Sequence, residues 1–212
     1  MKVSLVSVSP DAEKLMAYCA RVSNPNNQNN DNYAGLLRYC IKHQHWSIFE
    51  QAFMTLEINT TRGLAAQILR HRSFTFQEFS QRYADPTKDL EFEVREARMQ
   101  DPKNRQNSIP TDDFELNNKW QELQKDIIRQ TRYAYTWAIE HGIAKEQARA
   151  VLPEGNTKSR MYVNGTLRSW IHYIELRGAN GTQLEHIDIA NAVADVIAKI
   201  FPLAEEYKGK DI

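Results

Sequence analysis

The sequence predicts an α+β fold, in which several helices pack around a small mixed or antiparallel sheet. Segments of strand length near residues 2–8, 54–58 and 157–163 are rich in valine or alternate apolar with polar residues. Longer segments around them repeat apolar residues at helical spacing, and the chain shows no internal repeat. These observations together predict helices arranged around one sheet.

The length and composition indicate a single domain, residues 1–212. A chain of 212 residues with 42% hydrophobic residues can bury one sizeable core. Because 27 basic residues balance 27 acidic ones, the sequence offers no broad basic face for duplex DNA or a membrane surface. No apolar segment approaches the roughly 20 residues of a transmembrane helix, and the N-terminus lacks the apolar region of a signal peptide. We therefore expect a cytoplasmic protein that binds neither nucleic acid nor membranes.

In the first half of the chain, periodicity predicts two strands and three helices. In order, we expect a strand at 2–8, helices at 11–22 and 33–41, a strand at 54–58, and a helix that Thr60 or Thr61 caps and that buries Leu64, Ala65, Ile68 and Leu69. From Ser73 the helical period is lost. An extended chain there would place Glu78, Ser80 and Arg82 on one side.

In the second half, residues 84–115 are charged and interrupted by prolines, and they predict a long excursion that acts as a lid or an interface arm. A long helix follows, with apolar positions from Leu116 to Ala138 and an end at Gly142, and it is long enough to pack against a partner subunit. We then expect a helix at 144–151, a strand at 157–163, a turn at Asn164–Gly165, a helix capped by Thr166, and a last helix opened by a capping box from Thr182 to Glu185.

The two cysteines, Cys19 and Cys40, lie within helical patterns beside apolar residues. This placement favours buried free thiols over a disulfide or a metal cluster.

Candidate functional residues are concentrated between Arg70 and Tyr83, which read R-H-R-S-F-T-F-Q-E-F-S-Q-R-Y. Three guanidinium groups so close together repel one another unless an anion neutralises them, and their planar donor forks suit phosphate or carboxylate oxygens. Arg149, Arg168 and Arg177 are further candidates. This pattern predicts an anion-binding site, with an ion-pair network to Glu78 and Glu175 as the structural alternative.

Other chemistries receive weaker support from the sequence. His43 and His45 are spaced as a strand could place two metal ligands, but no third ligand follows at a recognisable spacing, so we expect no metal. Ser80 lacks a nearby base, which favours hydrogen bonding over nucleophilic attack. Neither glycine-rich phosphate-binding pattern is present, which argues against a dinucleotide-binding Rossmann unit.

The same stretch resembles the signature of the flavin-dependent thymidylate synthases, R-H-R-x7-S-x-R, which is matched by Arg70-His71-Arg72 and Ser80-Gln81-Arg82. Four further blocks resemble family segments in family order: A-R-V-S at 20–23, K-H-Q-H-W-S-I-F-E at 42–50, A-R-A-V-L-P at 148–153 and L-R-S-W-I-H-Y-I-E-L-R at 167–177. The resemblance covers most of the chain except residues 84–115.

The resemblance implies reductive methylation of dUMP to dTMP, with 5,10-methylenetetrahydrofolate as carbon donor, NADPH as reductant and bound FAD as hydride carrier. It also implies an α+β fold and a homotetramer whose active sites lie between subunits. The positions that match nucleotide contacts are Gln67, Arg70, Glu78, Ser80, Arg82, Arg149 and Arg177. The positions that match contacts of the flavin or the folate are Ser23, His45, Ser47, Arg70, His71, Arg72, Glu78, Thr166, Arg168 and His172. Arg177 matches the arginine that activates the uracil ring by stabilising its developing negative charge.

The sequence departs from the family pattern at two positions. Family members often carry asparagine where Thr166 stands and histidine where Gly181 stands. Flavin contacts at these positions are therefore expected to come from the backbone or to be absent.

Two other classes of function compete with this hypothesis. In a non-catalytic module for single-stranded RNA, the phenylalanines of the stretch would stack on bases and its arginines would hold phosphates. In a metal-dependent nucleotide hydrolase, His43, His45 and His71 would supply the ligands.

Overall fold

The computed structural model describes residues 2–201, and it confirms the predicted α+β class. The strands are β1 (Lys2–Val8), β2 (Phe53–Thr61), β3 (Thr75–Glu78), β4 (Arg98–Gln100), β5 (Ser108–Pro110) and β6 (Lys158–Thr166). The helices are α1 (Ala12–Ala20), α2 (Ala34–Lys42), α3 (Arg62–Ile68), α4 (Pro86–Asp89), α5 (Phe114–Glu140), α6 (Lys145–Ala148), α7 (Leu167–Gly178) and α8 (Leu184–Ala198). Short 3₁₀ turns occur at Pro25–Asn27, Trp46–Glu50 and Arg149–Val151.

Four strands form an antiparallel sheet in the order β1-β2-β6-β3. Side chains alternate along β2, so Met54, Leu56 and Ile58 all point to the buried face. Leu56 is opposite Val163 and Ile58 is opposite Met161 on β6, so the two central strands present one continuous apolar surface. The helices cover this surface.

The core lies between that surface and the helices α1, α2, α3, α7 and α8. Trp170 of α7 is fully buried, and its indole Nε1–H donates to the main-chain oxygen of Met54 at 3.1 Å. Thr166 caps α7 as predicted, since its hydroxyl accepts a hydrogen bond from the Ser169 amide. The capped start and the buried tryptophan together fix the direction in which α7 leaves the sheet.

The turn predicted at Asn164–Gly165 is wrong, because β6 continues to Thr166 and pairs with β2 along its whole length. Gly165 serves packing instead. A β-carbon at this position would lie 2.3 Å from the ring of Phe74, so only glycine leaves room for that ring. An Asn–Gly pair is typical of a turn, but in this protein the glycine is required by its packing against Phe74.

The prediction that residues 73–83 stay extended holds only as far as Glu78, where β3 ends. The chain then turns, and the amides of Tyr83 and Ala84 both donate to the Ser80 oxygen at 3.1 Å. Glu78, Ser80 and Arg82 therefore do not share one face of a strand, and this part of the prediction is wrong.

Residues 84–115 contain more structure than their sequence indicates. Besides α4 they form a small antiparallel hairpin, β4–β5. The loop before the hairpin is fixed by the Gln124 side chain of α5, which accepts from the Arg95 amide at 2.9 Å and donates to the Arg95 carbonyl at 2.8 Å. The proposed role of this segment as a lid or an arm stays a prediction.

Three smaller predictions about the helices are also wrong. The side chain of Thr61 precedes α3 without capping it, and Leu69 is exposed instead of packing in the core. Helix α8 begins after Gln183, and the Thr182 hydroxyl donates to the Leu176 carbonyl at 3.4 Å, so the capping box does not form. The last helix itself was predicted correctly, and its residues Ile189, Val193 and Ile197 are fully buried.

The long helix α5 matches its predicted extent, and Gly142 follows its end with a φ of +77°. Its apolar stripe is buried only towards the C-terminal end, where Thr131 and Ala138 pack inside the protein. In the N-terminal half, Leu116, Trp120 and Leu123 are each more than 40% exposed.

Both cysteines are free thiols, with Cys40 buried and Cys19 half-buried. Burial raises the pKa of the Cys40 thiol. Within residues 2–201, no helix is long and apolar enough to cross a membrane.

Candidate functional site

The centre of the candidate site is a hydrogen bond between Arg177 and His71. Arg177 lies in the last turn of α7, and His71 follows α3 by a short turn in which its amide donates to the Ile68 carbonyl. The Nε–H of Arg177 donates to Nε2 of His71 at 2.8 Å. A histidine that accepts at Nε2 is neutral and carries its proton on Nδ1.

The electrostatic environment keeps His71 neutral. Burial lowers its pKa most, and the positive charges of Arg177 and Arg70 lower it further, to about 4. Two guanidinium groups therefore act on one imidazole from different parts of the chain. The tertiary fold has brought the predicted residues Arg70, His71 and Arg177 together.

Three arginines flank or contact His71: Arg70 and Arg72 precede and follow it in the chain, and Arg177 donates a hydrogen bond to it. Among the ion pairs formed by residues 2–201, none involves Arg70, Arg72 or Arg177. Arg70 and Arg72 are exposed and Arg177 is half-buried. Positive charge without a carboxylate partner in this part of the chain favours binding of an anion, and the planar donor groups suit phosphate oxygens. Glu78, one of the two carboxylates of the structural alternative, pairs with Arg62 and with none of these three arginines.

Gln67 lies on α3, one turn before Arg70, and its side-chain amide is held on both sides. Its Oε1 is 3.0 Å from Nδ1 of His186, and its Nε2 donates to Oε1 of Gln183 at 2.8 Å. His186 is fully buried at the start of α8, and its Nε2 lies 3.0 Å from the Tyr173 hydroxyl. Burial, with the charge of Arg177 as the next largest cause, lowers the pKa of His186 to about 3. The imidazole is therefore neutral near pH 7.

Glu78, the last residue of β3, has one partner on β6 and one at the start of α3. Its Oε1 accepts from the buried Ser159 hydroxyl of β6 at 2.6 Å and lies 2.5 Å from Nη1 of Arg62. The carboxylate is therefore already oriented at the end of β3. Ser80 and Arg82 follow in the turn, where the Ser80 hydroxyl accepts from the Arg82 amide at 3.4 Å.

Arg82 and Arg149 meet at Glu146. Arg82 lies 3.5 Å from the Glu146 carboxylate, and Nε of Arg149 donates to the main-chain oxygen of Glu146 at 3.3 Å. Both arginines are exposed. Arg149 also lines a cleft of about 280 Å³ together with Arg62 and Gln81, which connects this pair to the arginine that holds Glu78.

The predicted flavin residues on α7 face the 3₁₀ turn at Trp46–Glu50. The ring of His172 packs edge-on against Trp46 with centroids 4.7 Å apart, and Nη1 of Arg168 lies 2.6 Å from Glu50. The Thr166 hydroxyl caps α7 by accepting a hydrogen bond from the Ser169 amide, and whether this residue contacts a flavin stays a prediction. Gly181 has a φ of +87°, a conformation that disfavours the histidine common in the family.

Three other predicted flavin or folate residues lie on exposed turns. Ser23 follows α1, and His45 and Ser47 are at the start of the Trp46–Glu50 turn. The rings of His43 and His45 both pack near Tyr39, with centroids 4.2 Å and 5.9 Å from it. No contact within residues 2–201 of a single chain joins Ser23 or His45 to the Arg177–His71 pair.

The two competing functions receive little support from this geometry. Phe74, which would have to stack on RNA bases, is buried, and Phe76 and Phe79 are half-buried. Within residues 2–201, no group of three or more His, Cys, Asp or Glu side chains is arranged to hold a metal ion. The hydrolase hypothesis therefore lacks a ligand set in this part of the chain.

Sequence reasoning missed the side chains that support Gln67, namely Tyr173, Gln183, Glu185 and His186. They are spread over α7 and α8 and match no recognised motif. A histidine, a glutamine and a glutamate clustered at the start of an otherwise apolar helix were the available signal, because polar side chains on a core-facing helix need buried partners.

Known proteins are similar to this chain over nearly its whole length. The family model described as "Thymidylate synthase complementing protein" matches residues 4–203. A probable flavin-dependent thymidylate synthase of Paramecium bursaria Chlorella virus 1 is 53% identical over 210 residues, covering 95% of this chain and 96% of the relative. A flavin-dependent thymidylate synthase of Synechocystis sp. is 54% identical over 192 residues, covering 90% of this chain and 86% of the relative.

A solved structure is similar over nearly the whole fold. The UMP/dUMP methylase PolB from Streptomyces cacaoi, bound with 5-Br dUMP, superimposes with a TM-score of 0.78 at 26% sequence identity, covering 97% of this chain and 93% of that one. The fold thus defines a class of α+β proteins that includes a UMP/dUMP methylase. Within that class, the chain belongs to the thymidylate synthase complementing protein family, whose relatives here are flavin-dependent thymidylate synthases.

Proposed function

We propose that this protein is a flavin-dependent thymidylate synthase, which converts dUMP to dTMP with 5,10-methylenetetrahydrofolate as carbon donor and NADPH as reductant. The observation that supports this most directly is that the charges of Arg177 and Arg70 act on neutral His71 and have no carboxylate partners among residues 2–201. A site for an anionic nucleotide, an anionic cofactor and a folate needs such unneutralised charge. The family match over residues 4–203 also supports one catalytic domain.

For the nucleotide, we propose a site formed by Gln67, Arg70, Glu78, Ser80, Arg82, Arg149 and Arg177. Arginines are suited to the phosphate because their donor forks match its oxygens. Glu78 is already held by Ser159 and Arg62, so its second oxygen can accept a hydrogen bond from a ligand without reorganising the carboxylate. The amide of Gln67 is held in the same way, by His186 and Gln183.

Arg177 is the residue that we propose to activate the uracil ring. Its Nε–H donates to His71, so the hydrogen bond that orients the guanidinium uses neither of the Nη groups. A guanidinium stays charged at any physiological pH, so it can stabilise negative charge that develops on the ring. Because His71 is neutral, it orients Arg177 without adding a second positive charge.

For the flavin, the residues present fit a large anionic cofactor. Exposed Arg72 and partly exposed Arg168 can meet its phosphates, while the packed rings of Trp46 and His172 offer a flat apolar edge. We propose that these residues act together with Ser23, His45, Ser47, Arg70, His71, Glu78 and Thr166. When bound, FAD supplies the capacity to accept a hydride from NADPH and to return reducing equivalents to the substrate.

We further propose a cytoplasmic homotetramer with active sites between subunits. The exposed apolar residues Leu116, Trp120 and Leu123 on α5 support this, because so many large apolar side chains on one face are typical of an interface. The separation of Ser23 and His45 from the Arg177–His71 pair also suits a site completed by a second chain.

The proposed function is tested with the purified protein in two steps. The protein should be yellow and should release FAD on denaturation. In an anaerobic assay, dUMP with methylenetetrahydrofolate and NADPH should then yield dTMP, and omission of any one component should abolish the product. Colourless protein that cannot be reconstituted with FAD, or reconstituted protein that forms no dTMP, would refute the proposal.

A further inference from the structure

The side chain of Gln67 belongs to a chain of hydrogen bonds that ends on a carboxylate. The Nε2 of Gln67 donates to Oε1 of Gln183 at 2.8 Å, and Nε2 of Gln183 donates to Oε2 of Glu185 at 2.9 Å. The other oxygen of Glu185 lies 2.8 Å from Nη1 of Arg95 and 2.5 Å from Nη2 of Arg98. Two arginines of the 84–115 segment thus fix the carboxylate on which the chain ends.

The Glu185 carboxylate is ionised near pH 7. Burial acts to raise its pKa, but the hydrogen bonds from its own amide, Gln183 and Arg98, with the charge of Arg95, outweigh burial and lower the pKa. An ionised carboxylate can only accept hydrogen bonds. This property determines the direction of every other bond in the chain.

Because Glu185 only accepts, Gln183 must present its NH₂ group to it and its oxygen to Gln67. Gln67 must then present its own NH₂ group to Gln183 and its oxygen to His186. His186 must donate from Nδ1, and as a neutral imidazole it accepts at Nε2 from the Tyr173 hydroxyl. A flip of either amide would oppose donor to donor or acceptor to acceptor.

Such a flip is costly because one end of the hydrogen-bond chain is buried. His186 and Tyr173 are almost fully buried, so water cannot replace a lost partner. After both contacts are made, Gln67 retains one uncommitted N–H on Nε2. The orientation of that donor relative to α3 is therefore set by residues of α7 and α8.

We propose that Tyr173 and His186 are positioning residues, which act with Gln183 and Glu185 to lock the amide of Gln67 so that it offers a fixed N–H donor to an acceptor oxygen of the nucleotide. This proposal rests on the proposed function, which places Gln67 against the nucleotide. It adds that recognition at Gln67 depends on four side chains that do not touch the ligand.

The experiment is a double-mutant cycle on the FAD-loaded protein. His186→Phe should raise the KM for dUMP about tenfold, with kcat changed less than threefold and the FAD content unchanged, because one held hydrogen-bond donor is lost. Gln67→Ala should raise the KM by a similar factor. In the Gln67→Ala background, His186→Phe should add almost nothing, because His186 acts through Gln67.

Two conservative variants keep the test decisive if His186→Phe folds poorly. His186→Gln retains one donor and one acceptor and should recover part of the affinity. Tyr173→Phe removes only the hydroxyl and should raise the KM about threefold. The matched control is Tyr135→Phe, since Tyr135 is equally buried and its hydroxyl has no hydrogen-bond partner among residues 2–201. This control should leave the KM unchanged.

The outcomes separate this proposal from the proposed function. Equal losses from His186→Phe in the presence and absence of Gln67, or a joint loss of kcat and FAD, would indicate a merely structural role and overturn the proposal. The dissociation constant of dUMP, measured by calorimetry on the same variants, provides a readout independent of turnover. If the wild type binds dUMP but forms no dTMP, the proposed function fails. The double-mutant cycle on the dissociation constant of dUMP then still tests whether His186 positions Gln67. If the wild type does not bind dUMP, both proposals fail.

Discussion

Two groups of arginines in this protein have similar chemistry but opposite surroundings. Arg95 and Arg98 both lie against the Glu185 carboxylate, with side chains 18% and 21% exposed. Arg70 and Arg177 lie close to neutral His71, Arg72 follows it in the chain, and none of the three has an acidic partner among residues 2–201. The first group pairs its charge with a carboxylate of the protein, whereas we propose that the second pairs it with a ligand. For these two groups, the difference in carboxylate partners is what separates a structural role from the proposed binding role.

The largest expected effect comes from the second group. Arg177→Ala should reduce dTMP formation about a thousandfold or more, because a charge that stabilises the reacting ring is lost. Bound FAD and the free energy of unfolding should change little, since none of the ion pairs formed by residues 2–201 includes Arg177. The measurements are kcat for dTMP, flavin absorbance and a denaturant unfolding curve. Near-normal turnover would exclude the activating role of Arg177.

The next effect concerns the first group and should appear in stability. Arg98→Ala should lower the free energy of unfolding by about 2 kcal/mol, because Arg95 is then the one cation that still pairs with the buried Glu185 carboxylate among residues 2–201. The matched control is Arg129→Ala, which removes an exposed pair with Asp126 on α5 and should cost less than about 0.5 kcal/mol. Equal costs for the two variants would erase the distinction between the groups.

The pKa of His71 responds to the charges of Arg177 and Arg70 as well as to burial, which is the larger cause. In the folded protein it should titrate near 4, and Arg177→Ala should raise this pKa, whereas Arg95→Ala should not. Binding of dUMP should also raise it, because the phosphate neutralises nearby guanidinium charge. NMR titration of the histidine side chains measures each change. An unshifted His71 pKa in the Arg177→Ala variant would contradict the proposed proximity of charges.

The same titration has a consequence for stability. The pKa values of His71 and His186 are lower in the folded protein than the usual value near 6.5, so the unfolded chain takes up these protons first as the pH falls. The free energy of unfolding should therefore be greatest above pH 6.5 and should decrease between about pH 6.5 and 4. Denaturant unfolding at several pH values would reveal the slope.

The smallest expected effect is that of the two thiols. Replacing Cys19 with Ser and Cys40 with Ala should leave dTMP formation within about twofold of the wild type, with a stability loss of about 1 kcal/mol from packing at Cys40. A folded double variant without activity would instead revive a thiol mechanism.

The sequence by itself determined the class of fold, most element positions and the motif around Arg70. These follow from local rules: apolar periodicity marks the buried face of Met54, Leu56 and Ile58, and a hydroxyl such as that of Thr166 caps a helix. The motif from Arg70 to Arg82 can also be recognised from the sequence alone, because its residues are close together along the chain.

Tertiary structure decided the features that depend on distant partners. The sequence predicts a turn at Gly165, whereas in the folded protein glycine is required there because the ring of Phe74 occupies the space of a β-carbon. The sequence predicts a long excursion at residues 84–115, whereas contacts with Gln124 and Glu185 hold Arg95 of this segment in place. The support of Gln67 by Tyr173 and His186 joins residues more than 100 positions apart. Hydrogen-bond complementarity of this kind is a property of three-dimensional contacts, and local periodicity contains no signal for it.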